Sequence, residues 1–444
     1  MSDQSSLVRP RRGSDWAEAA LAVVLLVAFG DVVWRFFHGG YLPQPFIYGT
    51  DGTFADWFDV AYWAHHPGAY DVWGSVYPPL SFAFLRLFSI GSCYDSPSSD
   101  ARGCDWVGDW MILIIYALGG FLAFRSLRLT DRRTALPRAL ALWLGLPMIY
   151  ALERGNLILL CFVFFVLGYG RGVRSAWLRW ISVAATINLK PYLLFAALPL
   201  AARRRWRWLE GVGLATAVVY LVSLAIVGSG TPLQLVNNQF AWSTFVSDQY
   251  WWNIFYSTSY GPLLNAAHAP YPLLLFIGSR GLELSTALAT LAVRLGQAGV
   301  LAAMIGAWAL KTPTPNYRLS ALGLSFILTT TNPGGYTEGF LLFLVFQERW
   351  CGPATGAALV AAYLLSIPYD HIVVPIFGYD QNSWLSGRYI ETVFGLSAGQ
   401  FLRPGLMLVI EYALIAATLT DTHRAVRGRA GQPPRVSPVA AVAT

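Results

Sequence analysis

Long apolar runs alternate along the chain with short polar segments rich in arginine. The first run, Trp16 to Phe37, is about 22 residues, enough to cross roughly 30 Å of hydrocarbon. Val107 to Phe124, Trp208 to Gly228 and Leu284 to Leu310 read as further crossings, as do Pro353 to Pro368 and Arg403 to Leu419. Three runs have polar centres: Ala139–Gly170 around Glu153-Arg154-Gly155-Asn156, Trp180–Ala202 around Asn188-Leu189-Lys190-Pro191, and Leu319–Phe346 around Asn332 to Glu338. Each begins and ends at a basic cluster and so predicts a hairpin of two short arms. Such arms are about 11 to 16 residues, roughly 16–24 Å, so their polar apices stop inside the membrane. Irregular polar backbone is tolerated there only where it is buried or lines a watery cavity. Tyr77 to Ile90 is short, opens on Pro78-Pro79 and carries Arg86, which predicts an interfacial helix.

Charge fixes the orientation. Lys and Arg number 31 against 24 Asp and Glu, but charged residues are only 12% of 444 residues and hydrophobic ones 55%. That is about half the charge of a soluble domain. It excludes a soluble fold and a disordered chain, and continuous apolar runs argue against a β-barrel. The arginines cluster between runs, the pattern of cytoplasmic loops rather than of nucleic-acid binding. The reading is an all-α, polytopic protein with about twelve crossings in one domain over 16–420. Residues 1–15 form a cytoplasmic segment and 421–444 a disordered cytoplasmic tail. External loops fall at 38–106, 229–283 and 371–400. Cys93 and Cys104 share the first loop, where an oxidising compartment permits a disulfide. No His/Cys spacing resembles a zinc site.

Ionisable residues left inside the membrane are functional candidates by default. Asp51 and Asp56 lie in the first external loop. Glu153, Arg154, Lys190, Arg294 and Glu338 lie at or near the outward apices. A carboxylate beside a substrate hydroxyl can take its proton, and a cation at low dielectric suits a phosphate. Structural alternatives stand beside each: a helix-dipole partner for Asp56, a cap for Asp51, mutual neutralisation for Glu153 and Arg154, and snorkelling for Lys190.

The ordered set of DWFDVAYWA from Asp56, Tyr70, YPP from Tyr77, ERGN and NLKP followed by RRRWRW resembles the polyprenol-phosphate-mannose-dependent α-1,2-mannosyltransferases of the GT-C class. These are relatives of the bacterial phosphatidylinositol-mannoside mannosyltransferases. The resemblance covers 51–207 well and the remainder in outline. It implies a multispanning GT-C fold in a bacterial cytoplasmic membrane, with both termini inside and the site on the external side. The implied reaction is inverting and metal-independent, with no cofactor. It moves a sugar, mannose by analogy, from a polyprenyl-phosphate donor to a glycolipid or polysaccharide. Asp56 then matches the general base with Asp51 its rival, and Lys190 the donor-phosphate contact; Arg154 and Arg294 join it as cations placed at or near the apices. Glu153, Asn156, Asn188, Tyr77, Asn332, Tyr336, Glu338 and His371 become substrate contacts. NPGGYTE, from Asn332, departs from the Ser-Pro, Trp and His of many relatives. A lipid or lipid-linked saccharide transporter is the competing reading, because helices with polar breaks suit transport too.

Overall fold

The computed structural model describes residues 12–46, 51–228, 230–249, 257–265, 273–312, 314–330 and 334–430. The chain opens with α1 (Arg12–Gly39) and the shorter helices α2 (Ala55–His65), α3 (Pro79–Leu87) and α4 (Ser98–Cys104). The long α5 (Trp106–Thr130) follows, then α6 (Ala135–Trp143), α7 (Leu146–Arg154), α8 (Ile158–Tyr169), α9 (Ala176–Leu189) and the short α10 (Leu194–Ala197). Next come α11 (Trp206–Val227), α12 (Pro232–Gln249), α13 (Gly261–Asn265), α14 (Leu273–Ala309), α15 (Asn316–Leu328), α16 (Glu338–Val345) and α17 (Pro353–Leu365). A hairpin of β1 (Ile372–Asn382) and β2 (Tyr389–Ser397) precedes α18 (Ala398–Ala430).

Six helices among the described residues are long and apolar enough to cross a membrane: Ser14–Gly39, Trp106–Thr130, Ala135–Arg154, Trp206–Val227, Ile277–Ala309 and Ala398–Arg427. Four more apolar helices are shorter, including Ile158–Tyr169 and Pro353–Leu365. Several of the long helices are apolar on their exposed surface. Their exposed residues include Val27 (69%), Leu214 (70%) and Ile305 (63%) on α1, α11 and α14. Soluble proteins do not present contiguous apolar faces of this kind, whereas a lipid-facing helix does.

At the centre lies α8, apolar all round and buried on nearly every residue, as expected for a helix enclosed by others. It packs between α5, α9 and α16. Phe165 meets Phe340 edge to face at 4.9 Å, and Phe162 meets Phe343 at 6.0 Å, geometries that aromatic pairs favour. Near the arginine-rich segments, buried Glu18 of α1 takes a two-pronged ion pair from Arg138 (2.6 Å for both bonds). Arg138 also donates to the carbonyls of Phe346 and Glu348 (2.6 and 2.7 Å). Arg318 pairs with Glu348 at 2.5 and 2.7 Å and with Asp421 at 2.6 Å. In these two networks each buried charge faces an opposite charge and takes hydrogen bonds in place of water.

The structure corrects three expectations. The segment expected as the third external loop is not all-α: β1 and β2 pair antiparallel, with Pro375 opposite Gly395 and Asn382 opposite Tyr389. Burial alternates along the first part of β2, the period-two signature of a strand with one face covered. The second loop is shorter than expected, because α14 begins at Leu273, ahead of a kink at Gly278. The tail is helical as far as Ala430; residues 431–444 lie outside the described set.

Candidate active site

Two left-handed residues bring the first loop and the first hairpin together. α7 ends on Gly155 (φ 61°), the usual glycine stop for a helix. Phe54, which precedes α2, has φ 61° and ψ 8°, a conformation that costs a non-glycine residue about 1–2 kcal/mol. Its N–H donates to the carbonyl of Glu153 at 2.8 Å. A β-carbon on Gly155 would stand 2.9 Å from the Phe54 Cα, so the approach requires glycine. The start of α2 is thereby pinned against the end of α7.

That pinning makes the site. Asp56, in the first turn of α2, receives Arg154 Nη2 on Oδ1 at 3.0 Å and Asn156 Nδ2 on Oδ2 at 2.7 Å. Asn156 also accepts from the N–H of Ile158 at 2.9 Å, which fixes its amide orientation. The two donors set the carboxylate plane and leave lone pairs on both oxygens. The Asp56 side chain keeps 24% of its surface and Arg154 14%, so the pair is open to a ligand.

A second wall comes from the other breaks. Lys190 takes an extended conformation (φ −140°, ψ 98°), as a residue before proline does. Its Nζ lies 4.4 Å from the centre of the Tyr77 ring, a cation–π contact. The Tyr77 hydroxyl is 3.4 Å from Asn156 Nδ2. Tyr70 holds the Tyr77 carbonyl at 3.0 Å, just before Pro78-Pro79 start α3. Tyr336 sits on the turn Gly335–Thr337 and stacks on Tyr150, with centroids 5.3 Å apart. Behind Asp56, Glu153 Oε1 accepts from Tyr41 at 2.5 Å, and Tyr41 lies 2.9 Å from Thr53 Oγ1. Burial pushes the Tyr41 and Tyr77 phenols above their ordinary value, and the charges of Glu153 and Asp56 respectively add to it. Both stay neutral at pH 7.

The structure therefore gathers Asp56, Glu153, Arg154, Asn156, Tyr77, Lys190 and Tyr336. Asp51 is exposed, with its backbone carbonyl held by Arg102. Four other expected contacts fall elsewhere. Asn188 is buried and donates to the carbonyls of Ala184 (2.9 Å) and Thr216 (3.1 Å), tying α9 to α11. Arg294 is exposed on α14, which packs chiefly on α18. His371 is exposed just before β1. Glu338 is buried (1% exposed) and faces Arg403, which pairs with Asp370 at 3.0 Å. Asn332 lies outside the described residues. Sequence reasoning missed Tyr41, Tyr150 and Tyr192, whose buried hydroxyl has no hydrogen-bond partner among the described residues. Only Tyr192, directly after Lys190-Pro191, had a local signal. No group of three His, Cys, Asp or Glu able to hold a metal occurs among the described residues.

The cluster pairs one oriented carboxylate with two cations and a wall of phenols. It can accept a proton from a hydroxyl and balance an anionic leaving group at one place. No family model, curated protein or solved structure matches the chain.

Proposed function

We propose that the chain is an integral membrane glycosyltransferase. It moves a sugar, mannose in the first instance, from a polyprenyl-phosphate donor to a glycolipid or polysaccharide on the external face, with inversion. The observation that carries this reading is the Asp56 carboxylate, oriented by Arg154 and Asn156 while still open. In the proposed step Asp56 removes the proton of an acceptor hydroxyl. That oxygen forms a bond to the anomeric carbon as the bond to the polyprenyl phosphate breaks. The phosphate leaves as an anion beside Lys190 and Arg154.

Proteoliposomes loaded with polyprenyl-phosphate mannose test the proposal. Asp56→Asn keeps the shape and the Arg154 contact but cannot take a proton. Transfer falls by about 10²–10⁴-fold, the usual worth of general-base catalysis. Asp51→Asn keeps its exposed position and stays near wild-type turnover. If Asp56→Asn turns over normally, the assignment of the base is wrong. The helix breaks at Gly155 and Lys190 also suit a transporter of lipid-linked saccharides. The same proteoliposomes separate the two: movement of labelled lipid between leaflets without sugar transfer selects the transporter.

A further inference from the structure

We propose that Arg102 is a positioning residue for Asp56, gripping from a disulfide-closed loop the backbone strap that sets where α2 begins. The inference rests on the reading of Asp56 as the base. The strap is Asp51–Phe54, and it includes the left-handed Phe54. Residues in such conformations persist only where their surroundings over-determine them, and they gather at functional sites. Four restraints act here. Glu153 holds the Phe54 N–H, and Tyr41 holds the Thr53 hydroxyl. Trp384, between β1 and β2, meets the Phe54 ring edge-on at 5.9 Å. Arg102 Nη1 donates to the carbonyls of both Asp51 and Thr53, the second at 2.8 Å. Its guanidinium lies 5.4 Å from the Trp384 ring centre, so it links strap and hairpin.

Arg102 is itself held. It sits on α4, whose Ser98 hydroxyl donates to Asp59 Oδ1 at 2.6 Å, about one turn beyond Asp56 on α2. The Cys93–Cys104 disulfide closes this loop. Asp105 fastens it to α5 by accepting from Tyr94 at 2.7 Å and from the N–H groups of Ile90 and Gly108, both at 3.1 Å. α4 thus holds the chain on both sides of Asp56, through the strap before α2 and through Asp59 on it, while Arg102 makes no hydrogen bond to the Asp56 carboxylate. Its effect falls on orientation rather than on ligand contact.

Arg102→Ala in the reconstituted enzyme reads this directly. Turnover falls roughly tenfold to a hundredfold, the scale of a misplaced catalytic group, with the donor KM within about twofold. Guanidinium ion added to the variant restores part of the turnover, and Arg102→Lys keeps part of it by serving one carbonyl. Hydrogen exchange supplies a readout independent of activity: the amides of residues 53–58 exchange faster in Arg102→Ala while those of α8 do not change. Unchanged exchange in 53–58 overturns the proposal. So does a loss of turnover that only tracks the amount of folded protein and ignores guanidinium. Asp56→Asn in parallel keeps the two readings apart. A normal Asp56→Asn sinks the base, whereas a dead Asp56→Asn beside a normal Arg102→Ala sinks only the positioning role.

Discussion

At the scale of single residues, the cluster depends on one missing methyl group. An alanine at position 155 would carry the same left-handed φ and push its β-carbon to 2.9 Å from Phe54 Cα and 3.1 Å from Ile112 Cδ1. We expect Gly155→Ala to lose about 1–3 kcal/mol, from backbone strain and from overpacking. It should read as a lower melting temperature in detergent together with weaker transfer. An unchanged melt would show that α7 and α2 separate without penalty. The polar members of the cluster were legible because membrane-embedded charge is rare and needs a reason. Arg294 met that criterion and still lies apart, because one-dimensional position does not tell which face of a helix a residue occupies, and His371, drawn from the expected third loop, is exposed ahead of β1. Tyr41 and Tyr150 carry no charge and no motif, and only the folded backbone brings them to Glu153 and Tyr336.

At the scale of elements, the three helix breaks fall where the polar centres predicted them, at Gly155, at Lys190 and between α15 and α16. The mechanism was readable: a glycine stop, a proline that forbids helix before it, and an Asn-Pro-Gly-Gly run. The β-hairpin was not, since its period-two pattern is short and interrupted by Pro375 and Gly378. α2 allows a further test. Asp59 is half-buried, and desolvation raises its carboxyl above the ordinary value despite the Ser98 hydrogen bond. A group raised in this way contributes its full stability only below its unfolded value, near 3.9. That contribution is lost as pH rises through the folded value. Asp59→Asn keeps an acceptor for Ser98 and removes the buried charge. We expect it to melt above wild type at pH 7, with the gap closing as the pH approaches about 4. A wild type that is the more stable at pH 7 would refute this account of α2.

At the scale of the whole molecule, six long apolar helices and their apolar exposed faces make a polytopic membrane protein the coherent reading. The arrangement of arginines predicts its orientation. Cysteines report on that orientation. Cys351 is exposed, Cys161 is buried, and Cys93 and Cys104 are joined. We expect a membrane-impermeant maleimide to label Cys351 only in inverted vesicles, and the exposed Cys104 only from outside after reduction. Labelling of Cys351 on intact cells would invert the topology. The crossing count was less legible than the orientation, because arms such as α8 and α16 are too short to be told from buried core helices by hydropathy alone.

The buried pairing of Glu18 with Arg138 also bears on the order of events during synthesis. Glu18 enters the membrane with the first helix, long before residue 138 leaves the ribosome, and the Phe346 and Glu348 carbonyls that complete Arg138 come more than 200 residues later still. A chain cut short before position 346 therefore has Glu18 and Arg138 but lacks the two carbonyls that complete the Arg138 hydrogen bonds.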